Sequence, residues 1–350
     1  MKIVHIAIVL FLNLFAHDMG AEEKKLNVLI LGGTTFLGPH LTDALLSRGH
    51  KVTHFNRGNA NWNFPGVEKL KGDRDGNLNI LEGRKWDAII DTSGYIPRIV
   101  EASSKILAKA TAHYTFISTI SVYADFNQPH IDENLPLAKL DNDSDEKITV
   151  KTYGALKAGC EKVISAYFSG KALIVRPGLI VGPYDPSDRF TYWIRRIIEG
   201  GQVLVPDNPK QKLQIIDVRD LARWIVKMIE KQVVGIYNAT GPKEKMCFED
   251  FMDECSKFVE KAVEITWIDE NVLGDFDWNK FPLCLPSKSN MYGLFCVDSK
   301  KAQDKGLVYR PISETIAAIL DWDKKRVDRK MKVGLSHEEE KKLLNQCNKR

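Results

Sequence analysis

The chain has 350 residues, 44% of them hydrophobic, enough to bury a substantial core in one large or two coupled domains. Lysine and arginine number 50 against 46 aspartates and glutamates, and the formal net charge of +4 provides no broad field for holding nucleic acid, so a polyanion would need a local patch. The six cysteines (Cys160, Cys247, Cys255, Cys284, Cys296 and Cys347) show neither C-x-x-C nor zinc spacing, which excludes a zinc-ribbon module and reads as free buried thiols, with disulfides among the last five left open.

Met1-Lys2 precedes an apolar run from Ile3 to Ala16, broken by His5 and Asn13, and polar Glu22 to Lys25 follow. This is the layout of a secretory signal peptide over residues 1–21, with Ala21 the best cleavage position and an uncleaved anchor the alternative, because Met19 is large for such a site. The run is too short for an ordinary membrane span. The expectation is a secreted or periplasmic protein, or a cytoplasmic one if the segment is not a working signal.

Past the signal, strand-like and helix-like segments alternate as a parallel sheet with covering helices requires. Strands are predicted at Asn27 to Leu31, Lys51 to Phe55, Val67 to Lys71, Ala88 to Asp91, His113 to Ser118 and Ala172 to Val175. The first helix runs from Gly38 to Ser47, with Gly49 placed to end it. The reading is α/β: a doubly wound parallel sheet over residues 22–185, then a smaller lobe over 186–330. That lobe returns to the sheet near Leu213 to Asp217 and Gly235 to Ala239. A charged tail over 331–350 starts a helix at the S-x-x-E of Ser336 to Glu339 and is expected to lie on the surface.

The segment Gly32-Gly33-Thr34-Thr35-Phe36-Leu37-Gly38 follows the first strand and opens the first helix, the context in which a glycine-rich loop binds the pyrophosphate of a dinucleotide. Gly32 suits the tight turn and Gly38 close helix packing. Thr35 stands where glycine is expected, so its side chain must point away or shift the ligand. The alternative is a glycine-bearing turn with no ligand. At the end of the second strand, neutral Asn56 beside Arg57 favours the 2′-phosphate of NADP over the ribose 2′-hydroxyl of NAD.

Further on, Tyr153 and Lys157 are spaced i and i+4, on one helix face, where an ammonium can lower a phenol's pKa toward working pH. The phenol then serves as general acid or base. The strand before it runs into Thr119-Ile120-Ser121-Val122-Tyr123, whose hydroxyls stand ready for a substrate oxygen. A third stretch, Gly182 to Trp193, packs charge and aromatics together: Arg189 suits a carboxylate or phosphate, and Tyr192 or Trp193 a stacked ring, with interface packing as the equal alternative. Tyr95 and Tyr123 are counted with them as substrate-side residues.

The loop GGTTFLG, the strand end FISTISVY, the YGALK helix, RPGLIVGP at Arg176 to Pro183 and IIDVRDLA at Ile215 to Ala222 give the chain a resemblance to the extended short-chain dehydrogenase/reductase superfamily, the NAD-dependent epimerase/dehydratase family. The resemblance covers nearly everything after the signal and implies a Rossmann-type fold with a smaller C-terminal substrate-binding lobe. It implies Thr119, Tyr153 and Lys157 as catalytic residues, Lys157 also touching the nicotinamide ribose. It implies cofactor contacts from Gly32, Gly33, Thr35, Phe36, Leu37 and Gly38, from Asn56 and Arg57, and from Asp73, Ser93 and Pro177. Thr35 looks like the mark of a GGT-x-FLG branch, which holds epimerases, reductases and chloroplast stem-loop RNA-binding proteins. Leu179 and Leu213 stand where nucleotide-sugar enzymes keep the asparagine and arginine that hold a diphosphate, which weakens the case for such a substrate.

The expected activity is that of an NAD(P)-dependent epimerase or dehydratase acting on a sugar or related small molecule, with NADP favoured. The alternatives are an NADPH-dependent reductase of a small carbonyl compound and a non-catalytic nucleotide- or RNA-binding relative. The near-neutral charge, the ordered triad and the export signal oppose the last. Expected partners are the small-molecule substrate and a second copy of the chain.

Overall fold

The structure, a computed structural model, describes residues 24–59, 64–142, 144–274, 276–328 and 330–347. The expected signal peptide at 1–21 lies outside the described residues. Among those described, no helix is long and apolar enough to cross a membrane.

The strands β1 (Asn27–Leu31), β2 (Lys51–Asn56), β3 (Glu68–Lys71), β4 (Trp86–Asp91), β5 (Thr111–Ile117) and β6 (Ala172–Pro177) alternate with the helices α1 (Leu37–Ser47), α2 (Pro97–Leu107) and α3 (Tyr153–Tyr167). A later strand completes the sheet from Gly235–Ala239, giving seven parallel strands in which β1 lies between β2 and β4, and β6 between β5 and the late strand. The pattern of β1 explains why the sheet must be covered on both faces. Val28 and Ile30 pack against Leu41 and Leu45 of α1, whereas Leu29 and Leu31 face Val100 and Leu107 of α2 and Ile164 of α3. Each such side chain contributes about 1.5–3 kcal/mol by leaving water, so the continuous apolar run of a parallel strand has its reason here.

After β6 the chain departs from the sheet through β7 (Leu179–Val181), α4 (Arg189–Ile198), β8 (Gly201–Pro206), β9 (Lys212–Asp217) and α5 (Val218–Glu230). The late strand is then β10 (Gly235–Ala239), followed by β11 (Gly241–Cys247). Leu213 to Asp217 does not return to the main sheet, contrary to expectation. It is held in β9, which pairs in parallel with β7 and antiparallel with β11 in a separate three-stranded sheet, because β10 already occupies the edge beside β6. Gly235 to Ala239 does return as expected.

The lobe has its own core, in which Phe190 and Trp193 of α4 pack with Phe248 and Phe251. The C-terminal helix His337–Cys347 joins that core and is no surface appendage. Ser336 and Glu339 exchange the two hydrogen bonds of a capping box, while buried Glu340 accepts from Arg196 at 2.7 Å and from the Leu204 amide at 3.0 Å. Cys160, Cys247, Cys255, Cys284 and Cys296 carry free thiols.

Candidate active site

The loop between β1 and α1 is made of backbone. Gly32 and Gly33 lie at φ +99° and +81°, in the left-handed region where a side chain is strained. Gly38 stands against them so closely that a Cβ there would lie 2.4 Å from the Gly33 carbonyl carbon. Thr35 is exposed, its carbonyl accepting from the Gly38 amide at 3.0 Å, so its side chain is directed away from the turn. Phe36 enters α1 at φ +43°, and no side chain caps the first turn, which leaves the amides there, Leu37 included, for an anion. Thr92, unnoticed in the sequence, fastens the loop by accepting from the Gly33 amide at 3.3 Å and donating to the Leu31 carbonyl at 2.9 Å. Ser93 flanks Gly32 and donates its amide to Asp91 at 3.0 Å.

Asn56, at the end of β2, donates to the Gly32 carbonyl at 3.0 Å and accepts from the Gly58 amide, tying the strand end to the loop. Arg57 beside it is exposed. Asp73 is exposed and turned to the local amide of Asp75 at 3.0 Å. Its neighbour Arg74 is buried and forks onto Asp91 at 2.6 and 2.7 Å, a pair the sequence did not reveal. Pro177 is buried at the end of β6, opposite Ala239.

Tyr153, at the start of α3, lies near enough to the Thr119 side chain for that hydroxyl to draw the phenol's pKa down. What permits this approach is Gly154, where a Cβ would collide with the Ser121 carbonyl oxygen at 1.9 Å. Thr119 also accepts from the Ser121 amide at 3.1 Å, which fixes its hydroxyl. Lys157, one turn on, is buried and donates to the carbonyls of Gly94 at 2.6 Å and Ile117 at 2.7 Å, between the rings of Phe116 and Tyr95. An ammonium has three donors, so one remains. Burial lowers Lys157 to about 8, against the pull of Cys160 and Asp91.

The expected lowering of Tyr153 by Lys157 is corrected. Burial, and after it Tyr95, holds the Tyr153 phenol above its ordinary value, and the groups that draw it down are Thr119 and Arg189. The reason is geometric: Lys157 directs its N–H groups into backbone carbonyls.

The substrate-side residues divide. Tyr95, 43% exposed, stands beside Tyr153 with ring centroids 6.4 Å apart, and Arg189 is exposed at the first position of α4. Tyr123 does not reach a ligand, because it is buried, donating to Asn238 at 2.6 Å and accepting from Arg176 at 3.2 Å. Trp193 is 0% exposed and gives its indole N–H to the Pro282 carbonyl, and Tyr192 accepts from the Leu335 amide at 3.1 Å beneath Gly334. Both belong to the lobe's core. Beneath Thr119, Ser118 and Arg176 converge on buried Glu161 of α3, anchoring the strand to the helix that carries Tyr153 and Lys157.

Comparison with known proteins agrees with this geometry. Residues 95–240 match the model of the NAD dependent epimerase/dehydratase family. The chloroplast stem-loop binding protein of 41 kDa b from Arabidopsis thaliana is 28% identical over 257 residues, 68% of this chain, and the match spans 64% of the length of that relative. The Bordetella bronchiseptica enzyme WbmH in complex with NAD+ is similar with a TM-score of 0.64 at 17% identity, over 86% of this chain and 99% of that one. UDP-glucuronic acid 4-epimerase from Bacillus cereus in complex with NAD gives 0.62 at 17% identity, over 86% and 100%. For dTDP-glucose 4,6-dehydratase from Bacillus anthracis in complex with NAD the values are 0.64 and 15%, over 86% and 97%. The chain thus shares the Rossmann-type fold of these enzymes, and the stretch that matches the model of the NAD dependent epimerase/dehydratase family, residues 95–240, carries Thr119, Tyr153 and Lys157.

Proposed function

We propose that the protein is a nicotinamide-dependent enzyme that acts on a hydroxyl or carbonyl of a sugar or related small molecule, as an epimerase or dehydratase. The observation that carries this reading is Tyr153 set beside Thr119 and one helical turn from buried Lys157, in a fold whose glycine loop leaves a helix N-terminus uncapped. The residues present fit a dinucleotide: two left-handed glycines, uncapped amides and an exposed Thr35 leave backbone open for its pyrophosphate. A bound nicotinamide supplies the hydride acceptor or donor.

The chain's own groups handle the proton. Held above its ordinary pKa, Tyr153 is a neutral phenol and gives its proton to a substrate carbonyl oxygen as that oxygen gains charge, or takes one back from a hydroxyl in the reverse sense. Thr119, beside the phenol, offers a second contact to the same oxygen. The remaining N–H of Lys157 is available to a ribose hydroxyl.

NADP is the proposed dinucleotide, although the solved neighbours named above hold NAD. Every other arginine among the described residues is ion-paired, but Arg57 and Arg189 are not. Arg57 beside neutral Asn56 therefore has a charge to offer a 2′-phosphate. Buried Leu213 and half-buried Leu179 provide no donor to a diphosphate, which favours a substrate without one. Residues 1–21 are proposed to direct export, read by the N-terminal mass of the mature chain.

The test is titration of the mature chain with NADPH and NADH by nicotinamide fluorescence, followed by turnover of carbonyl compounds and sugars. NADPH binds more tightly, and Tyr153→Phe keeps that binding while turnover falls by about 10²–10⁴. Unchanged turnover in Tyr153→Phe sinks the reading. A second reading, RNA binding, is favoured by the name of the Arabidopsis relative and opposed by the near-balanced charge. Salt-dependent affinity for a stem-loop RNA would carry it.

A further inference from the structure

Among the described residues the arginines are ion-paired almost throughout, and that makes Arg189 informative. Among the described residues no carboxylate forms an ion pair with it, although its charge acts on buried Asp185 from a distance. Asp188, at φ +59°, is taken by Arg326 at 2.6 Å and by the Lys332 amide, and buried Asp185 accepts the Ser187 amide at 2.8 Å and the Ser187 hydroxyl at 2.7 Å. The same Ser187 hydroxyl accepts Arg189 Nε at 3.1 Å. The line Asp185, Ser187, Arg189 thus pins the guanidinium by Nε, leaving the two terminal nitrogens exposed and without a carboxylate. The loop 182–188 follows β7 and brings this group within electrostatic reach of Tyr153.

We propose that Arg189 is the anchor for an oxyanion on the substrate, so that the enzyme acts on an acid, a carboxylate or a phosphate monoester, held by the free edge of the guanidinium while its hydroxyl or carbonyl meets Tyr153. This rests on the enzymatic reading given above. A planar fork with Nε already fixed loses little freedom on binding a planar or tetrahedral oxyanion in two contacts, and lysine does not reproduce it. Neutral sugars find no comparable anchor.

The test titrates the mature chain, with and without NADPH, using D-glucuronate, D-glucose 6-phosphate and D-glucose, with heat of binding as readout. The wild type binds at least one of the acids tenfold or more tightly than glucose, and the acid that wins identifies carboxylate or phosphate as the anchored group. Arg189→Gln removes that preference, and Arg189→Lys and Ser187→Ala each lose several-fold by sacrificing the fork or its fixation. Binding of neither acid, equal binding of acids and glucose, or an undiminished preference in Arg189→Gln overturns the proposal. Dinucleotide binding is read in the same titrations. A chain that binds acid through Arg189 but no dinucleotide upholds this inference and overturns the enzymatic one, whereas dinucleotide binding without an acid preference does the reverse.

Discussion

The glycine loop and the segment from Tyr184 to Trp193 are made of different material. In the first, the atoms left for a ligand are backbone amides, made approachable by Gly32, Gly33 and Gly38. In the second, Arg189 is the open charged side chain, with Tyr184 and Pro186 also exposed, while Tyr192 and Trp193 a turn away are sealed in the lobe's core. A backbone site demands particular residues at particular spacings, because a single Cβ fills it. A side-chain site makes no such demand, since the same aromatic residue serves a ligand or a core equally well.

The largest expected effect sharpens the first half of that contrast. Gly38→Val places a Cβ 2.4 Å from the Gly33 carbonyl carbon, well inside van der Waals contact, so loop and helix must separate. The cost to folding is about 1–3 kcal/mol. Binding suffers more: NADPH fluorescence enhancement disappears, while near-ultraviolet circular dichroism, which reports on packed Trp193 and Phe248, persists. Binding within tenfold of the wild type would mean that close backbone approach is not what the loop provides.

This difference in material also decided what the sequence disclosed. The strands from Asn27 to Leu31 and Lys51 to Phe55, the first helix and the Tyr153–Lys157 spacing were legible because each is a local pattern with one physical solution. Leu213 to Asp217 was legible as a strand, but periodicity says nothing of which sheet it joins, and the edge taken by β10 settled that from a distance. Tyr123 was placed on the substrate side, and Tyr192 and Trp193 were left between ligand and packing, for the same reason: their partners Asn238, Leu335 and Pro282 lie far along the chain. Arg74, Glu161 and Thr92 left no motif, each being defined by a single remote partner or a turn.

An intermediate effect tests Lys157, buried between the carbonyls of Gly94 and Ile117 and outside both regions. Its ammonium is charged in the unfolded chain up to its ordinary 10.5, but in the folded protein only up to about 8. Below 8 both states hold the proton and the cost of burying charge is constant. Between 8 and 10.5 the unfolded chain binds more protons, so this residue's contribution to stability rises with pH. The denaturation midpoint of the wild type relative to Lys157→Met should improve by a few kcal/mol over that window and level off above it. A flat difference would show that the carbonyls of Gly94 and Ile117 already compensate the charge.

The smallest effect breaks the comparison if it fails. Tyr192 accepts the Leu335 amide through its hydroxyl, so Tyr192→Phe leaves one buried donor unmet and costs about 1 kcal/mol, seen as a small shift in the denaturation midpoint. Because the ring faces Gly334 and the lobe core, acid affinity and turnover stay at wild-type values. The hydroxyl thereby separates the two roles that the sequence left equal: a residue that packs the lobe changes stability alone. If turnover or acid binding falls while the midpoint holds, the Tyr192 hydroxyl acts on the ligand after all, and the ligand-facing part of this segment extends beyond Arg189.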